Sequence, residues 1–274
     1  MPDGTATETG AARIASAFEL ARNEDRAALM PYLMGGFPDQ ETATAVAQAY
    51  ADAGADLIEL GVPFSDPLAD GPTIHAADTA ALAGGATLET VLETSAAVGA
   101  RVPVALMVYV NMVLARGVEE FAALAAYAQA AGVIVPDLPL EEQGPIGESL
   151  DAQGLALIPL VAPTTPPERR AEICKSAKGF VYVVSDIGTT GERLGDVGEY
   201  LRTYLGDVKA RSQVPVAVGF GISTPEQAAQ FGKLANGVII GSRLVREVGE
   251  AADRDAAVAG VTDFLRATRD ALSG

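Results

Sequence analysis

Three carboxylates, Glu59, Asp66 and Asp70, stand within one proline-rich stretch of the chain. This stretch reads ELGVPFSDPLADGPTI from residue 59 to residue 74, so apolar side chains and prolines separate its acids. Acids in apolar surroundings can exchange protons near neutral pH, because burial raises the pKa of a carboxyl group. A long loop that prolines stiffen and that carries both acids and apolar side chains is typical of a binding site.

Glu59 is the strongest candidate for proton transfer. It interrupts an apolar run, and the pattern places it inside or at the end of a buried strand, where an acid is costly unless it has a use. We expect burial and the nearby Asp66 and Asp70 to raise its pKa. The alternative is a glutamate that only bonds to backbone or pairs with an arginine. Asp66 could cap a turn before Pro67, and Asp70 could cap the next helix or face the pocket.

Two residue types that often do chemistry are scarce, and their scarcity excludes whole classes of mechanism. His75 is the single histidine of the sequence, which excludes a metal site made of several histidines. No lysine is predicted at the carboxyl end of a strand, where a Schiff-base aldolase needs one; the lysines are Lys175, Lys178, Lys209 and Lys233. Carbon–carbon chemistry would therefore depend on carboxylates alone, with a substrate ring that can absorb the charge.

Composition indicates a globular enzyme that binds neither nucleic acid nor membranes. The 274 residues are 49% hydrophobic and carry a net charge of -17, whereas binding to a phosphate backbone or an anionic lipid surface needs a basic face. No apolar segment approaches the roughly 20 residues of a membrane span. The first ten residues are polar and acidic, unlike a signal peptide. We therefore expect a cytoplasmic protein.

Eight short apolar runs alternate with stretches of helical spacing along the chain. The runs are residues 27–34, 56–60, 103–108, 132–135, 155–160, 180–184, 215–218 and 238–240. They are apolar at successive positions, which predicts parallel strands buried on both faces. Eight such strands fit a (β/α)8 TIM barrel better than an open sheet, because the turn at Gly35–Gly36 lacks the G-x-G-x-x-G spacing of a dinucleotide-binding fold.

We predict one TIM-barrel domain over residues 11–274, with a flexible N-terminal tail at 1–10 and a leading helix at 11–26. Helices are predicted at 118–131 and from about 198 to 210, among others. Four of the strands follow similar short connections from the preceding helix. In each connection a glycine is expected to end the helix, namely Gly54, Gly132, Gly179 and Gly237.

Glycine turns after the last two strands predict a phosphate site. Residues 219–223 read GFGIS, and Gly241–Ser242 follow the eighth strand, where barrels often bind phosphate through backbone N–H groups. The alternative is a pair of tight turns without a ligand. The loop at residues 185–195 is long, polar and glycine-hinged, and is either a lid over a phosphate ester or an ordinary flexible loop.

The stretch GVPFSDPLADGPTI at 61–74 closely resembles the signature of the tryptophan synthase alpha subunit family. The resemblance extends along nearly the whole chain and includes VPDLP at 135–139, TTG at 189–191, GFGI at 219–222 and Gly241–Ser242, in the family's order. It implies a lyase that cleaves indole-3-glycerol phosphate to indole and D-glyceraldehyde 3-phosphate by a retro-aldol reaction, without a cofactor. Pyridoxal phosphate is then expected only on a partner beta subunit.

The resemblance also implies residue roles. Glu59 would protonate the indole ring carbon and take the hydroxyl proton, and Asp70 would hold the indole N–H and stabilise the cationic intermediate. Tyr182 would pack beside Glu59, and Thr190 would tie the closed sixth loop to Asp70. The apolar indole pocket would be lined by Tyr32, Met107, Ile134 and Val161. The phosphate would be bound by Gly191, Gly221, Gly241 and Ser242.

The family works as an alpha2-beta2 complex, so the resemblance implies a beta subunit that faces the second loop, around Pro63 and Asp66, and the sixth loop. A stand-alone lyase that releases free indole and a non-catalytic barrel that activates its partner are the alternatives. Two residues depart from the family pattern: Asp186 adds an acid to the sixth loop, and Gln129 replaces a small residue before the fourth strand.

Overall fold

The strands of the chain pair in parallel and form a sheet that nearly closes on itself. The computed structural model describes residues 8–184, 194–219 and 221–274. Within them the sheet order is β5-β4-β3-β2-β1-β9-β8-β7-β6. The strands are β1 (Ala28–Met34), β2 (Ile58–Gly61), β3 (Val104–Met107), β4 (Ala130–Ile134), β5 (Ala156–Ile158), β6 (Leu160–Val161), β7 (Val181–Val184), β8 (Val216–Gly219) and β9 (Gly237–Ile240).

The two ends of this sheet meet in one stretch of chain. β5 and β6 are separated only by Pro159, so they are two halves of the fifth strand position, and the sheet closes through them. Eight strand positions in parallel confirm the predicted (β/α)8 barrel.

Helices follow the strands and cover the outside of the barrel. They are α1 (Gly10–Asn23), α2 (Gln40–Asp52), α3 (Pro72–Ala83), α4 (Leu88–Gly99), α5 (Val110–Arg116), α6 (Val118–Tyr127), α7 (Gln143–Ala152), α8 (Pro167–Ser176), α9 (Leu194–Arg211), α10 (Pro225–Gly232), α11 (Ser242–Glu250) and α12 (Arg254–Leu272). A short 3-10 helix at Leu140–Glu142 leads into α7. Among the described residues no helix combines the length and apolarity of a membrane span.

Alternation along the strands divides the core into two layers. On β1, Leu29 and Leu33 pack outward with the helices, whereas Ala28 and Met30 pack into the barrel interior. Both layers are fully buried, which explains why the strands read as unbroken apolar runs in the sequence. The interior layer lies below the carboxyl ends of the strands and forms the floor of any site there.

The leading helix closes the other mouth of the barrel. Ile14, Phe18 and Ala21 of α1 pack with the interior residues of the strands, and the Thr9 side chain caps the helix. The helix begins at Gly10, whose N–H donates to the carbonyl of Gly154 at 2.6 Å. Most of the tail predicted for residues 1–10 lies outside the described residues.

Several helix and strand boundaries differ from the sequence prediction. The helix predicted at 118–131 ends at Tyr127, and the chain reverses at Gln129, which takes a left-handed φ of 61°. Gln129, which departs from the family pattern, is therefore the residue that connects this helix to β4. Gly132, which was predicted at that connection, lies inside β4. Gly237 also lies inside a strand, whereas Gly54 and Gly179 take the positive φ expected of such connections. α5 was not predicted, and α9 begins at Leu194 instead of near residue 198.

A buried ion pair fixes the lower ends of β1 and β2. The guanidinium of Arg26 donates to both carboxylate oxygens of Asp56, at 2.5 and 2.8 Å, and its side chain is 1% exposed. Asp56 also accepts the N–H of Leu29 at 2.7 Å. These bonds join the segments before the two strands that carry Tyr32 and Glu59, so they help to hold the register of the site.

We expect Asp56→Ala to lower the free energy of unfolding by about 3–5 kcal/mol, because it removes both hydrogen bonds of this carboxylate to the buried Arg26 and leaves only the half-exposed Glu24 paired with that charge. Asp52→Ala is the matched control: Asp52 pairs with Arg101 at the surface and is 62% exposed, so its loss should cost under about 1 kcal/mol. Urea unfolding followed by circular dichroism measures both. Equal losses in the two variants would contradict the assigned role of the buried pair.

Candidate active site

Glu59 lies on the interior face of β2, near the strand's carboxyl end. Its neighbours Ile58 and Leu60 belong to the outer layer of the core, so alternation turns Glu59 inward. The register pairs it with Tyr32 on β1 and Ala105 on β3. The residue is 1% exposed, which makes it a rare buried acid in a barrel of apolar side chains.

Burial controls the protonation of this acid. The loss of solvent raises the pKa of Glu59 to about 8, the charge of Asp70 adds to the rise, and a hydrogen bond from the Tyr182 hydroxyl opposes it. The second oxygen, Oε2, has no hydrogen-bond partner among the described residues. Among the described residues no arginine contributes to this pKa, so the alternative of an arginine pair finds no support there. With this pKa Glu59 is a neutral acid at pH 7, and none of the described residues engages its second oxygen.

Glycines at two strand ends make room for the tyrosines around Glu59. A Cβ on Gly219 would lie 2.9 Å from the hydroxyl of Tyr182, and a Cβ on Gly61 would overlap the hydroxyl of Tyr32. Both tyrosines are buried, at 8% and 4% exposure. The rings therefore project across the top of the interior, where any larger residue in place of these glycines would displace them.

Asp70 is held by a tyrosine and does not cap a helix. The Tyr109 hydroxyl donates to Oδ2 of Asp70 at 3.0 Å, while the N-cap of α3 is Gly71. Burial raises the pKa of Asp70, and the Tyr109 hydrogen bond and the nearby His75 oppose this rise. Of the two roles left open by the sequence, capping of α3 is therefore wrong, and Asp70 lies close enough to act electrostatically on Glu59.

Asp66 lies apart from the other two acids. It is exposed and accepts a hydrogen bond from the neighbouring Ser65 hydroxyl at 2.6 Å. The prediction that Asp66 helps to raise the pKa of Glu59 is wrong, because burial and Asp70 account for that rise. Asp66 is a surface residue of the loop.

Asp78 and its contact through Phe64 with Tyr109 escaped the sequence reasoning. Asp78 on α3 is 1% exposed and accepts the backbone N–H of Phe64 at 3.0 Å. The Phe64 ring in turn stacks on Tyr109, with centroids 5.0 Å apart. A signal was present: Asp78 follows Ile74 by four residues and precedes Ala81 by three, which places an acid on the apolar face of a helix.

The predicted apolar lining is brought together except at one position. Tyr32, Ile134 and the partly buried Met107 pack with interior groups. The register pairs Leu160 with Tyr182 and Val161 with Val183. Leu160 therefore packs against the interior layer, whereas Val161 packs in the outer layer.

The residues predicted to bind phosphate are only partly within the described chain. Gly241 is the N-cap of α11 and Ser242 is its exposed first residue, so the free N–H groups of this helix start lie at the top of the barrel. Gly221, after β8, takes a φ of 60°. Thr190, Gly191 and Asp186 lie outside the described residues. Within the part of the chain that is described, no cluster of histidine, cysteine and acidic residues could hold a metal ion.

Comparisons with known proteins agree over most of the chain. The family model described as tryptophan synthase alpha chain matches residues 18–271. The tryptophan synthase alpha chain of Prochlorococcus marinus (strain MIT 9313) is 47% identical over 244 residues, or 88% of each chain. That of Geobacillus thermodenitrificans (strain NG80-2) is 46% identical over 84% of this chain and 86% of its own length.

Solved structures give the same result. Mycobacterium tuberculosis tryptophan synthase has a chain with a TM-score of 0.88 and 36% identity, covering 96% of this chain and 98% of its own. Tryptophan synthase subunit alpha from Legionella pneumophila str. Paris has a TM-score of 0.86 and 35% identity, with coverage of 95% and 98%. The chain belongs to the tryptophan synthase alpha chain family, the lyases that form the alpha subunit of tryptophan synthase in tryptophan biosynthesis.

Proposed function

We propose that Glu59 is the acid and the base of the reaction of this family, the retro-aldol cleavage of indole-3-glycerol phosphate to indole and D-glyceraldehyde 3-phosphate. The observation that carries this proposal is the burial of Glu59, which raises its pKa to about 8, with an Oε2 that has no hydrogen-bond partner in the described part of the chain. A general acid works best when its pKa lies near the working pH. Glu59 meets that condition at the carboxyl end of a barrel strand.

The proton moves in a closed cycle. Glu59 donates its proton to the ring carbon of indole that bears the glycerol phosphate chain, which leaves a cationic ring and a Glu59 carboxylate. The carboxylate then takes the proton of the neighbouring side-chain hydroxyl. As the carbon–carbon bond breaks, its electron pair returns to the ring, the hydroxyl carbon becomes the aldehyde, and Glu59 is again protonated. The Tyr182 hydroxyl would stabilise the carboxylate stage, because its hydrogen bond favours the charged form of Glu59.

Asp70 is proposed to act as a carboxylate throughout this cycle. Its charge would accept the indole N–H and stabilise the cationic ring, a role that needs the ionised form. The Tyr109 hydrogen bond supports this role, since it holds the pKa of Asp70 below the value that burial alone would give.

The remaining contacts are proposed from chemistry at the mouth of the barrel. Apolar groups around Tyr32, Met107 and Ile134 would bind the indole ring, with Leu160 taking the inward position predicted for Val161. The N-terminus of α11 at Gly241 and Ser242 would bind the phosphate, together with Gly221 and the predicted Thr190 and Gly191. We propose that the chain needs no cofactor of its own, and that pyridoxal phosphate belongs to the beta subunit.

We also propose an alpha2-beta2 complex in which the loop around Pro63 and Asp66 faces the beta subunit. Leu68 in this loop is 96% exposed, an unusual position for a leucine unless a partner covers it. A cytoplasmic location is part of the same proposal, because a charged phosphate ester does not cross an apolar membrane unaided.

Glu59→Gln should lower the rate of indole release by about 100-fold or more, because an amide keeps the shape of the side chain but cannot transfer the proton. Indole release from indole-3-glycerol phosphate is measured for both proteins, with and without a beta subunit. Binding of glycerol 3-phosphate, measured by calorimetry, should be unchanged.

Asp66→Asn is the matched control, since it changes an exposed acid in the same loop and should leave the rate of the isolated chain unchanged. Full activity of Glu59→Gln would refute the assigned role. Strong activity of the isolated wild-type chain that a beta subunit does not alter would instead indicate a stand-alone lyase.

Tyr109→Phe should move the acid limb of the pH profile of kcat/KM to higher pH, by about one unit. Loss of the hydroxyl removes a hydrogen bond that lowers the pKa of Asp70, so Asp70 would lose its charge at a higher pH. The alkaline limb, set by Glu59, should stay in place. Tyr127→Phe is the control, because Tyr127 is 87% exposed and remote from these acids. An acid limb that does not move would contradict the coupling of Tyr109 to Asp70.

A further inference from the structure

Asp78 is a second buried acid that the proposed mechanism does not use. It lies on the inner face of α3 and is 1% exposed. Its Oδ1 accepts the N–H of Phe64 at 3.0 Å, and its Oδ2 has no hydrogen-bond partner among the described residues. A buried carboxyl group is costly, so a position that holds one calls for a function that offsets the cost.

The contact with Phe64 anchors one end of the loop between β2 and α3. The loop runs from Val62 to Gly71, and Asp78 reaches back from the helix that follows it. The backbone N–H of the partly buried Phe64 thereby gains an acceptor. This bond fixes the place of Phe64 relative to α3.

Tyr109 anchors the other end of the same loop and connects it to Phe64. The Tyr109 hydroxyl accepts the N–H of Ala69 at 3.0 Å and donates to Asp70 at 3.0 Å. The Phe64 ring lies against the Tyr109 ring, with planes 23° apart. A continuous set of contacts therefore runs from Asp78 through Phe64 and Tyr109 to Asp70.

Among the described residues, the titratable groups that act on Asp78 are an acid and two phenols. Asp70 of the loop, Tyr32 of β1 and Tyr109 after β3 each interact electrostatically with it. Burial, together with the charge of Asp70, raises the pKa of Asp78 to about 7, and the bond from Phe64 opposes the rise. The carbonyl oxygen of a neutral carboxyl group and either oxygen of a carboxylate can accept an N–H. The hydrogen bond from Phe64 to Asp78 therefore persists in both protonation states of Asp78.

We propose that Asp78 is a positioning residue, which holds Phe64 and through it the Tyr109 ring and the carboxylate of Asp70 in the place that the reaction needs. The proposal rests on the role assigned to Asp70 above. Its consequence is that Asp78 acts on turnover from a helix that does not touch the reacting atoms. A small displacement of Asp70 would weaken its hold on the cationic ring, which exists only after the substrate has bound.

The test compares Asp78→Asn with Asp78→Ala. Asparagine keeps an oxygen that can accept the Phe64 N–H, so kcat should stay within about threefold of the wild type. Alanine leaves that N–H without an acceptor and frees the loop, so kcat should fall by about tenfold or more with a smaller change in KM. Both constants are measured by indole release from indole-3-glycerol phosphate.

Ser95→Ala is the matched control for a merely structural effect. Ser95 is equally buried, and its hydroxyl donates to the carbonyl of Ala128 at 2.9 Å on a helix outside this set of contacts. Its loss should lower the urea midpoint without lowering kcat. If Asp78→Ala does not fold, Asp78→Ser replaces it, because a serine hydroxyl is too short to reach Phe64. Folding is checked by circular dichroism.

A double-mutant cycle with Tyr109→Phe tests whether the two residues act through the same carboxylate. The effects on kcat should be less than additive, since each variant displaces Asp70. Additive effects, a normal kcat in Asp78→Ala, or equal losses in Asp78→Asn and Asp78→Ala would each overturn the proposal. Failure of the wild type to cleave the substrate would overturn the proposed function instead, as would full activity in Asp70→Asn.

Discussion

The desolvation of one carboxyl group, that of Glu59, is the constraint on which the rest of the site depends. Its pKa in the folded chain is about 8, against an ordinary value of 4.5. Between these two pH values the folded chain keeps a proton that the unfolded chain releases. The contribution of Glu59 to the free energy of unfolding therefore falls as the pH rises from about 4.5 to 8, by on the order of a few kcal/mol. The folded chain is less stable in this pH range, but it contains an acid that is neutral at pH 7.

The barrel supplies what such an acid needs. β2 lies between β1 and β3, so Glu59 has neighbouring strands on both sides, and alternation turns it inward. Gly61 and Gly219 leave space for the Tyr32 and Tyr182 rings that cover it. The loop that follows β2 is held at Phe64 by Asp78 and at Ala69 by Tyr109. Asp70 is thereby presented close enough to influence Glu59 while its own charge is stabilised by a hydrogen bond.

Much of this arrangement could be predicted from the sequence, because the relevant signals are local. Unbroken apolar runs identified the barrel strands, and an acid within such a run identified Glu59. The features that the sequence did not predict depend on tertiary contacts. Whether Leu160 or Val161 faces inward depends on the register with β7, which the break at Pro159 obscures. The helix before β4 ends early because Gln129 adopts a left-handed conformation that side chains other than glycine rarely take. The helical spacing places Asp78 on the apolar face of α3, but its partner is a backbone N–H, which no residue type reveals.

Infrared difference spectroscopy of wild type minus Glu59→Gln, recorded across the pH range 6 to 9, tests the central claim most directly. The carbonyl stretch of a protonated carboxyl group is distinct from the bands of a carboxylate, and the difference isolates Glu59. The buried acid should give this protonated band at pH 6 and lose it with a midpoint at about pH 8. Its absence at pH 6 would show that Glu59 is already ionised, and would contradict the account of how burial prepares it for proton transfer.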